Sequence, residues 1–234
     1  MAGRWDNVTV DGAKMRCYVT IPAGGGPFAA IVVIQHAGGV DEFVQTMTDR
    51  IAEAGFVGIA PELYHRDDPS SSDDALTRMS RLRDANIIAD VNATVEHVKS
   101  MPEVKPDRIG ITGFCMGGRV TYLMAARHPA FGAAVVFYGG NIMVPWGDGP
   151  PPFELSDRIG CPVLGLFGEE DGNPNPGDVA KIDAELTRLG KTHEFHSYPG
   201  AGHAFMSEGR PSYRAEAAAD AWPKCVGWFK QHLA

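Results

Sequence analysis

Apolar residues in this chain fall into short continuous runs, separated by longer stretches with a helical repeat. Residues 28–34, Phe-Ala-Ala-Ile-Val-Val-Ile, are apolar throughout. That is the pattern of a strand buried on both faces. Residues 56–60, 133–138 and 162–167 read the same way, and 192–198 is a last strand. Near the start the pattern changes. Val8 and Val10, then Met15, Cys17 and Val19, alternate with polar residues on either side of Asp11-Gly12. This predicts an antiparallel hairpin, 5–10 with 14–21, that has one wet face. Helical spacing covers 41–54, where Phe43, Met47 and Ile51 share a side and Gly55 is the stop. It also covers most of 74–99, then 176–189 up to Gly190, and 212–232, where Pro223 predicts a kink or break. Residues 22–27, 61–73 and 141–152 are predicted loops.

Strands alternating with helices predict an α/β domain with a mostly parallel sheet, covered by helices on both faces. No internal repeat or domain boundary is visible, so residues 1–234 are read as one domain. Ligand sites in such sheets lie at the carboxyl ends of the strands. The loops after Ile34, Ala60, Thr112, Tyr138, Phe167 and Tyr198 should therefore share one rim.

One of these loops carries a nucleophile. Residues 108–119, Arg-Ile-Gly-Ile-Thr-Gly-Phe-Cys-Met-Gly-Gly-Arg, run from a β-branched segment into a predicted helix at 120–127. Gly113-Phe-Cys-Met-Gly117 has the G-x-S-x-G spacing of a nucleophile elbow, with cysteine in place of serine. The turn puts the Cys115 sulfur at a helix N-terminus, where free N–H groups and the dipole favour a thiolate. The pentapeptide alone also fits an ordinary βα turn around a buried thiol. The rest of the rim separates the two readings. A cysteine nucleophile needs a base, and the base needs an orienting acid. Glu170 and Asp171 both follow the 162–167 strand, and His203 follows the last strand in a small-residue loop. Nucleophile, acid, histidine is the chain order of α/β-hydrolases. An oxyanion hole would use the Met116 N–H and a second N–H from the loop after Ile34, for which Ala37 is the candidate, beside Gly38 and Gly39.

Composition narrows the function class. With 234 residues the chain can bury a large core, and no tract is apolar for long enough to span a bilayer. The net charge of −8, without a basic block, argues against nucleic acid or an anionic membrane as partner. Cys17, Cys115, Cys161 and Cys225 lack C-x-x-C spacing and read as reduced thiols of a cytoplasmic protein, three of them in the core. The N-terminus has no apolar signal core. No cofactor is expected, because neither a dinucleotide fingerprint nor a Walker loop appears. No metal is expected either: His193 and His196 would point to opposite faces of a strand, and no other cluster has metal spacing.

With these residues in view, the chain resembles the dienelactone hydrolase family, the carboxymethylenebutenolidase-like α/β-hydrolases. The matching pieces are Pro61-Glu-Leu-Tyr64, Ile87-Ile-Ala-Asp-Val-Asn92, Gly113-Phe-Cys-Met-Gly-Gly118, Phe137-Tyr-Gly139, Gly168-Glu-Glu-Asp171 and Ala201-Gly-His-Ala-Phe205. They run in family order along nearly the whole chain. The resemblance implies a compact α/β-hydrolase fold without a large cap. It also implies a triad of Cys115, Asp171 and His203, choosing Asp171 over Glu170.

The departures bear on substrate. Family members carry a glutamate after the glutamine that ends the third strand, where this chain has His36. That histidine reads as a second base, a donor to substrate, or an anchor for its loop. The family's substrate-carboxylate arginine after Gly-His-Ser-Phe is replaced by Met206 and Ser207, with Arg210 near but not aligned. A second family arginine lies before the long helix, where Arg78, Arg81 and Arg83 are available. Losing one clamp favours an uncharged ester or a different lactone over dienelactone. Tyr64, Tyr138, Trp146, Phe205 and Met206 are candidate pocket residues. The expected function is a carboxylic ester or lactone hydrolase, as a monomer or small homo-oligomer, acting on a small molecule. The alternatives are a general small-ester carboxylesterase without lactone preference, and a non-catalytic ligand-binding or redox-responsive thiol protein.

Overall fold

The computed structural model describes residues 3–68 and 70–234. In chain order the elements are β1 (Arg4–Val10), β2 (Ala13–Thr20), β3 (Phe28–Ile34), α1 (Glu42–Glu53), β4 (Val57–Pro61), α2 (Ala75–Ser80), α3 (Asp84–Lys99) and β5 (Val104–Phe114). Then come α4 (Met116–Arg127), β6 (Phe131–Phe137), a 3-10 helix (Pro152–Arg158), β7 (Val163–Gly168), α5 (Pro176–Arg188), β8 (His193–Tyr198) and α6 (Ala215–His232).

All eight strands join one sheet in the order β1-β2-β4-β3-β5-β6-β7-β8. The β1–β2 and β2–β4 pairs are antiparallel, and every pair from β4 to β8 is parallel. The continuous apolar runs follow from this layering. In β3, Ala30, Val32 and Ile34 face the layer of α3, α4 and α5, while Ile31 and Val33 face α1 and α6. Each of these β3 residues has a helix to pack on, which favours an apolar side chain at every one of these positions. Among the described residues, no segment folds as a separate cap.

Three details depart from the sequence pattern. The helix predicted within 74–99 is two helices, α2 and α3. Arg83 is extended at the start of α3, and the Asp84 N–H donates to the Trp146 carbonyl at 2.7 Å. A bend there lets the Asp84 side chain enter the core, as described below. Pro223 does not break α6, because Ala221, Cys225 and Phe229 hold both sides of it against the sheet. β5 begins four residues before the predicted elbow strand, with Val104 pairing Phe28.

Candidate active site

The turn between β5 and α4 is as tight as its spacing implies. Cys115 sits at φ 59°, ψ −121°, a left-handed backbone that costs a residue with a Cβ some strain. A Cβ on Gly113 would overlap the Gly117 carbonyl, and one on Gly117 would lie 2.5 Å from the Ile34 carbonyl oxygen. Those two glycines let strand, turn and helix close up around the cysteine. Strain is concentrated here. Of the five non-glycine residues with positive φ among the described residues, Cys115, Tyr138, Asn141 and Ala204 surround this turn. Only Asp11, in the hairpin turn, lies elsewhere.

The loops after β7 and β8 bring Asp171 and His203 to the same place. His203 Nδ1 lies 2.8 Å from Asp171 Oδ2. The other carboxylate oxygen accepts the Asn173 N–H at 2.8 Å. Asp171 is buried with both oxygens engaged, and the His203 ring packs edge-on against Tyr138, with centroids 5.3 Å apart. The ring lines the same cleft as Cys115 and interacts with its sulfur.

Electrostatics distinguishes this cysteine from the others. Burial raises the Cys115 thiol pKa. Hydrogen bonding and charge from His203, with the Met116 and Ala37 N–H groups, outweigh it and leave the pKa below the ordinary thiol value. Burial alone dominates at Cys17 and Cys161, whose thiols are pushed up to about 12, and Cys225 is also raised. His203 moves the other way. Burial disfavours its charged form, but the bonds to Asp171 and Cys115 prevail and raise its pKa. The pair is thereby biased toward thiolate and imidazolium.

The β3–α1 loop, which holds Ala37, is fixed from several sides. His36 Nε2 lies 2.8 Å from Asp41 Oδ2, while Asp41 Oδ1 caps α1 by accepting the Val44 N–H at 3.2 Å. The Gly39 N–H bonds the His36 carbonyl at 3.0 Å. The Tyr64 hydroxyl donates to the Ala37 carbonyl at 2.9 Å and lies 3.5 Å from Met116 Sδ. Gln35 Oε1 accepts the Leu63 N–H at 2.9 Å, tying this loop to the one after β4. Of the three readings of His36, this geometry supplies the anchor.

A cleft of about 430 Å³ opens onto Cys115, with Leu76, Met79, Met116, Asn141 and His203 on its walls. Several sequence candidates lie outside it. Tyr138, Phe205 and Met206 are buried in the layer between the sheet and α1 and α6, so they support His203 rather than line the cleft. Trp146 stacks on the Arg119 guanidinium, 4.1 Å from its centre. Arg78 bonds Asp67 at 2.9 Å and lies 4.2 Å over the Tyr64 ring. Arg81 bonds Asp73 at 2.7 Å. Each of these side chains is engaged by packing or charge partners outside the cleft. Tyr64 touches the site through Ala37 and Met116.

Sequence reasoning passed over Leu76, Met79, Asn141 and Asn173. Asn173 Oδ1 accepts the Asn141 N–H at 3.0 Å, and Asn173 Nδ2 donates to Asn141 Oδ1 at 3.0 Å, joining the loops after β6 and β7 beside the cleft. It also passed over Arg119, which is fully buried. Its guanidinium grips Asp84 in a two-pronged pair, 2.6 and 2.9 Å, and donates to the Asn141 and Val144 carbonyls at 3.0 and 2.7 Å. The available signal was an arginine on the first turn of the elbow helix, where only apolar residues would otherwise pack. Among the described residues, no group of three or more His, Cys, Asp or Glu is placed to hold a metal ion. No described helix is long and apolar enough to cross a membrane.

Known proteins share this architecture and its sequence. A Methylorubrum extorquens protein named "Putative carboxymethylenebutenolidase" is 37% identical over 92% of this chain and 76% of its own length. An Escherichia coli K12 protein of the same name is 34% identical over 97% of this chain and 86% of its own. The crystal structure of a Klebsiella pneumoniae protein described as "Putative Dienelactone Hydrolase" superimposes with a TM-score of 0.90 at 33% identity, covering 99% of this chain and all of that one. The family model of the dienelactone hydrolases matches residues 15–233, so the chain belongs to the dienelactone hydrolase family.

Proposed function

We propose that the protein hydrolyses a carboxylic ester or lactone through a thioester on Cys115. The observation that carries this reading is geometric: Cys115 at the apex of the elbow shares a cleft with His203, whose ring Asp171 holds at 2.8 Å, and the lowered thiol and raised imidazole pKa agree with it. In this reading the attacking species is the Cys115 thiolate, with the proton held on His203. The sulfur bonds to the substrate carbonyl carbon, and the carbonyl π electrons move to oxygen. The Met116 and Ala37 N–H groups hold that oxyanion, a role in which one donor is worth about 3 kcal/mol. Collapse breaks the ester C–O bond, and the leaving oxygen takes the proton from His203 Nε2. Neutral His203 then accepts a proton from water as the water oxygen bonds to the acyl carbon. Collapse breaks the C–S bond, frees the acid and restores thiolate beside imidazolium. Asp171 keeps the ring in the tautomer and orientation that both proton transfers need.

Steady-state assays test the reading. Wild type should turn over a simple aryl ester many times per active site, and Cys115→Ala should lose about a thousandfold or more in kcat. Full activity in Cys115→Ala would sink the mechanism. Acylation once without turnover would favour the ligand-binding or redox-responsive thiol, a role that a low-pKa, partly buried sulfur at a cleft also suits. A cytoplasmic setting belongs to the same proposal, since a reactive thiol persists best under reducing conditions.

A further inference from the structure

The short helix α2 has two faces that differ in chemistry. Leu76 and Met79 are three residues apart, which places them on one side of a helix. Both line the cleft over Cys115. Arg78 and Arg81, also three apart, turn to the other side, toward Asp67 and Asp73. The arginine charges are therefore spent on the loop before α2. Among the described residues, the cleft walls carry no cation other than His203. Leu76 is 68% exposed, a large apolar side chain held in water on the wall of the cleft that opens onto the nucleophile. A carboxylate brought there would lose hydration and find no arginine or lysine to pair with, whereas a hydrocarbon chain would cover Leu76 and Met79 and bury their apolar surface.

The direction of the chain follows from the anchors of α2. His203 must reach the leaving oxygen, so the leaving group occupies the His203 side. α2 is instead tied to the wall that carries the two proposed oxyanion donors, through Arg78 over the Tyr64 ring and the Tyr64 hydroxyl on Ala37 and Met116. We propose that Leu76 and Met79 form an apolar acyl subsite, which selects esters with an uncharged hydrocarbon acyl group and rejects acyl groups ending in a carboxylate. This rests on the reading that Cys115 carries the acyl group.

Three p-nitrophenyl esters test it: the acetate, the hexanoate, and an ester of the same reach whose acyl chain ends in a carboxylate. Wild type should show kcat/KM about tenfold or more higher for hexanoate than for acetate, and about a hundredfold higher for hexanoate than for the carboxylate-ended ester. Leu76→Ser and Met79→Ala should each bring the hexanoate-to-acetate ratio toward one. Leu76→Lys should narrow the gap between the hexanoate and the carboxylate-ended ester, and Arg81→Gln should leave that gap where it is. Equal wild-type rates on hexanoate and acetate, or a preference for the carboxylate-ended ester that Arg81→Gln abolishes, would overturn the subsite while leaving the hydrolase reading standing. Absence of turnover on all three would overturn both.

Discussion

The Tyr64 hydroxyl donates to the Ala37 carbonyl at 2.9 Å, across 27 positions of sequence. The bond fixes the backbone of the loop whose N–H faces the Cys115 sulfur. A phenol from the β4 loop thus sets the geometry of a donor on the β3 loop. Tyr64→Phe keeps the ring under Arg78 and removes this bond together with the longer contact to Met116 Sδ. It should lower kcat about tenfold with little change in KM, because an oxyanion donor acts mainly in the transition state. Equal kcat in the two proteins would remove Tyr64 from the account.

Alkylation should single out Cys115. Its pKa lies below the ordinary thiol value, whereas Cys17, Cys161 and Cys225 are buried and raised. One equivalent of iodoacetamide should react at neutral pH, read by intact mass. His203→Ala removes the main lowering cause and leaves burial, so the pH midpoint of alkylation should rise to the ordinary value or above. An unchanged midpoint would mean that His203 does not activate the sulfur.

Stability should depend on pH through the same pair. The Cys115 pKa is depressed on folding, so its contribution is fully present above the unfolded value and is lost as pH falls through the folded one. The His203 pKa is raised, so its contribution is fully present below about pH 6.5 and is lost as pH rises through the folded value. Thermal melts of wild type and Cys115→Ala should therefore differ most between those two folded values and converge toward either extreme. A difference independent of pH would mean that the pair is not ionised in the folded protein.

Arg119 and Asp84 lie 35 positions apart and pair in the core. Arg119→Met should destabilise the protein by about 3–5 kcal/mol, because it leaves the Asp84 carboxylate buried without its partner. Adding Asp84→Leu should recover much of that loss. Activity should recover less, since the Asn141 and Val144 carbonyls still lack the guanidinium that holds their loop. Urea melts with parallel kinetics separate the two effects.

The strands were legible because β3 and β6 are buried on both faces, so burial wrote itself as unbroken apolar runs. The nucleophile turn was legible because a cysteine held at positive φ needs Gly113 and Gly117 around it. Side-chain direction was not legible. Tyr138, Phe205 and Met206 stand next to rim residues in sequence, yet the strand-end geometry turns them into the core. The break between α2 and α3 carries no glycine or proline. It is imposed by Asp84 reaching Arg119, a contact that local pattern does not encode. The arginines of α2 look available in sequence, and only their pairing with Asp67 and Asp73 removes them from the cleft.

The central claim is that the acyl group passes through Cys115. The most direct test is rapid quenching of wild type during turnover of an aryl ester, followed by peptide mass mapping. The account predicts a hydroxylamine-sensitive acyl adduct on the peptide carrying Cys115, formed and lost at rates compatible with kcat. An adduct on another residue, or steady turnover with no adduct at any quench time, would contradict it.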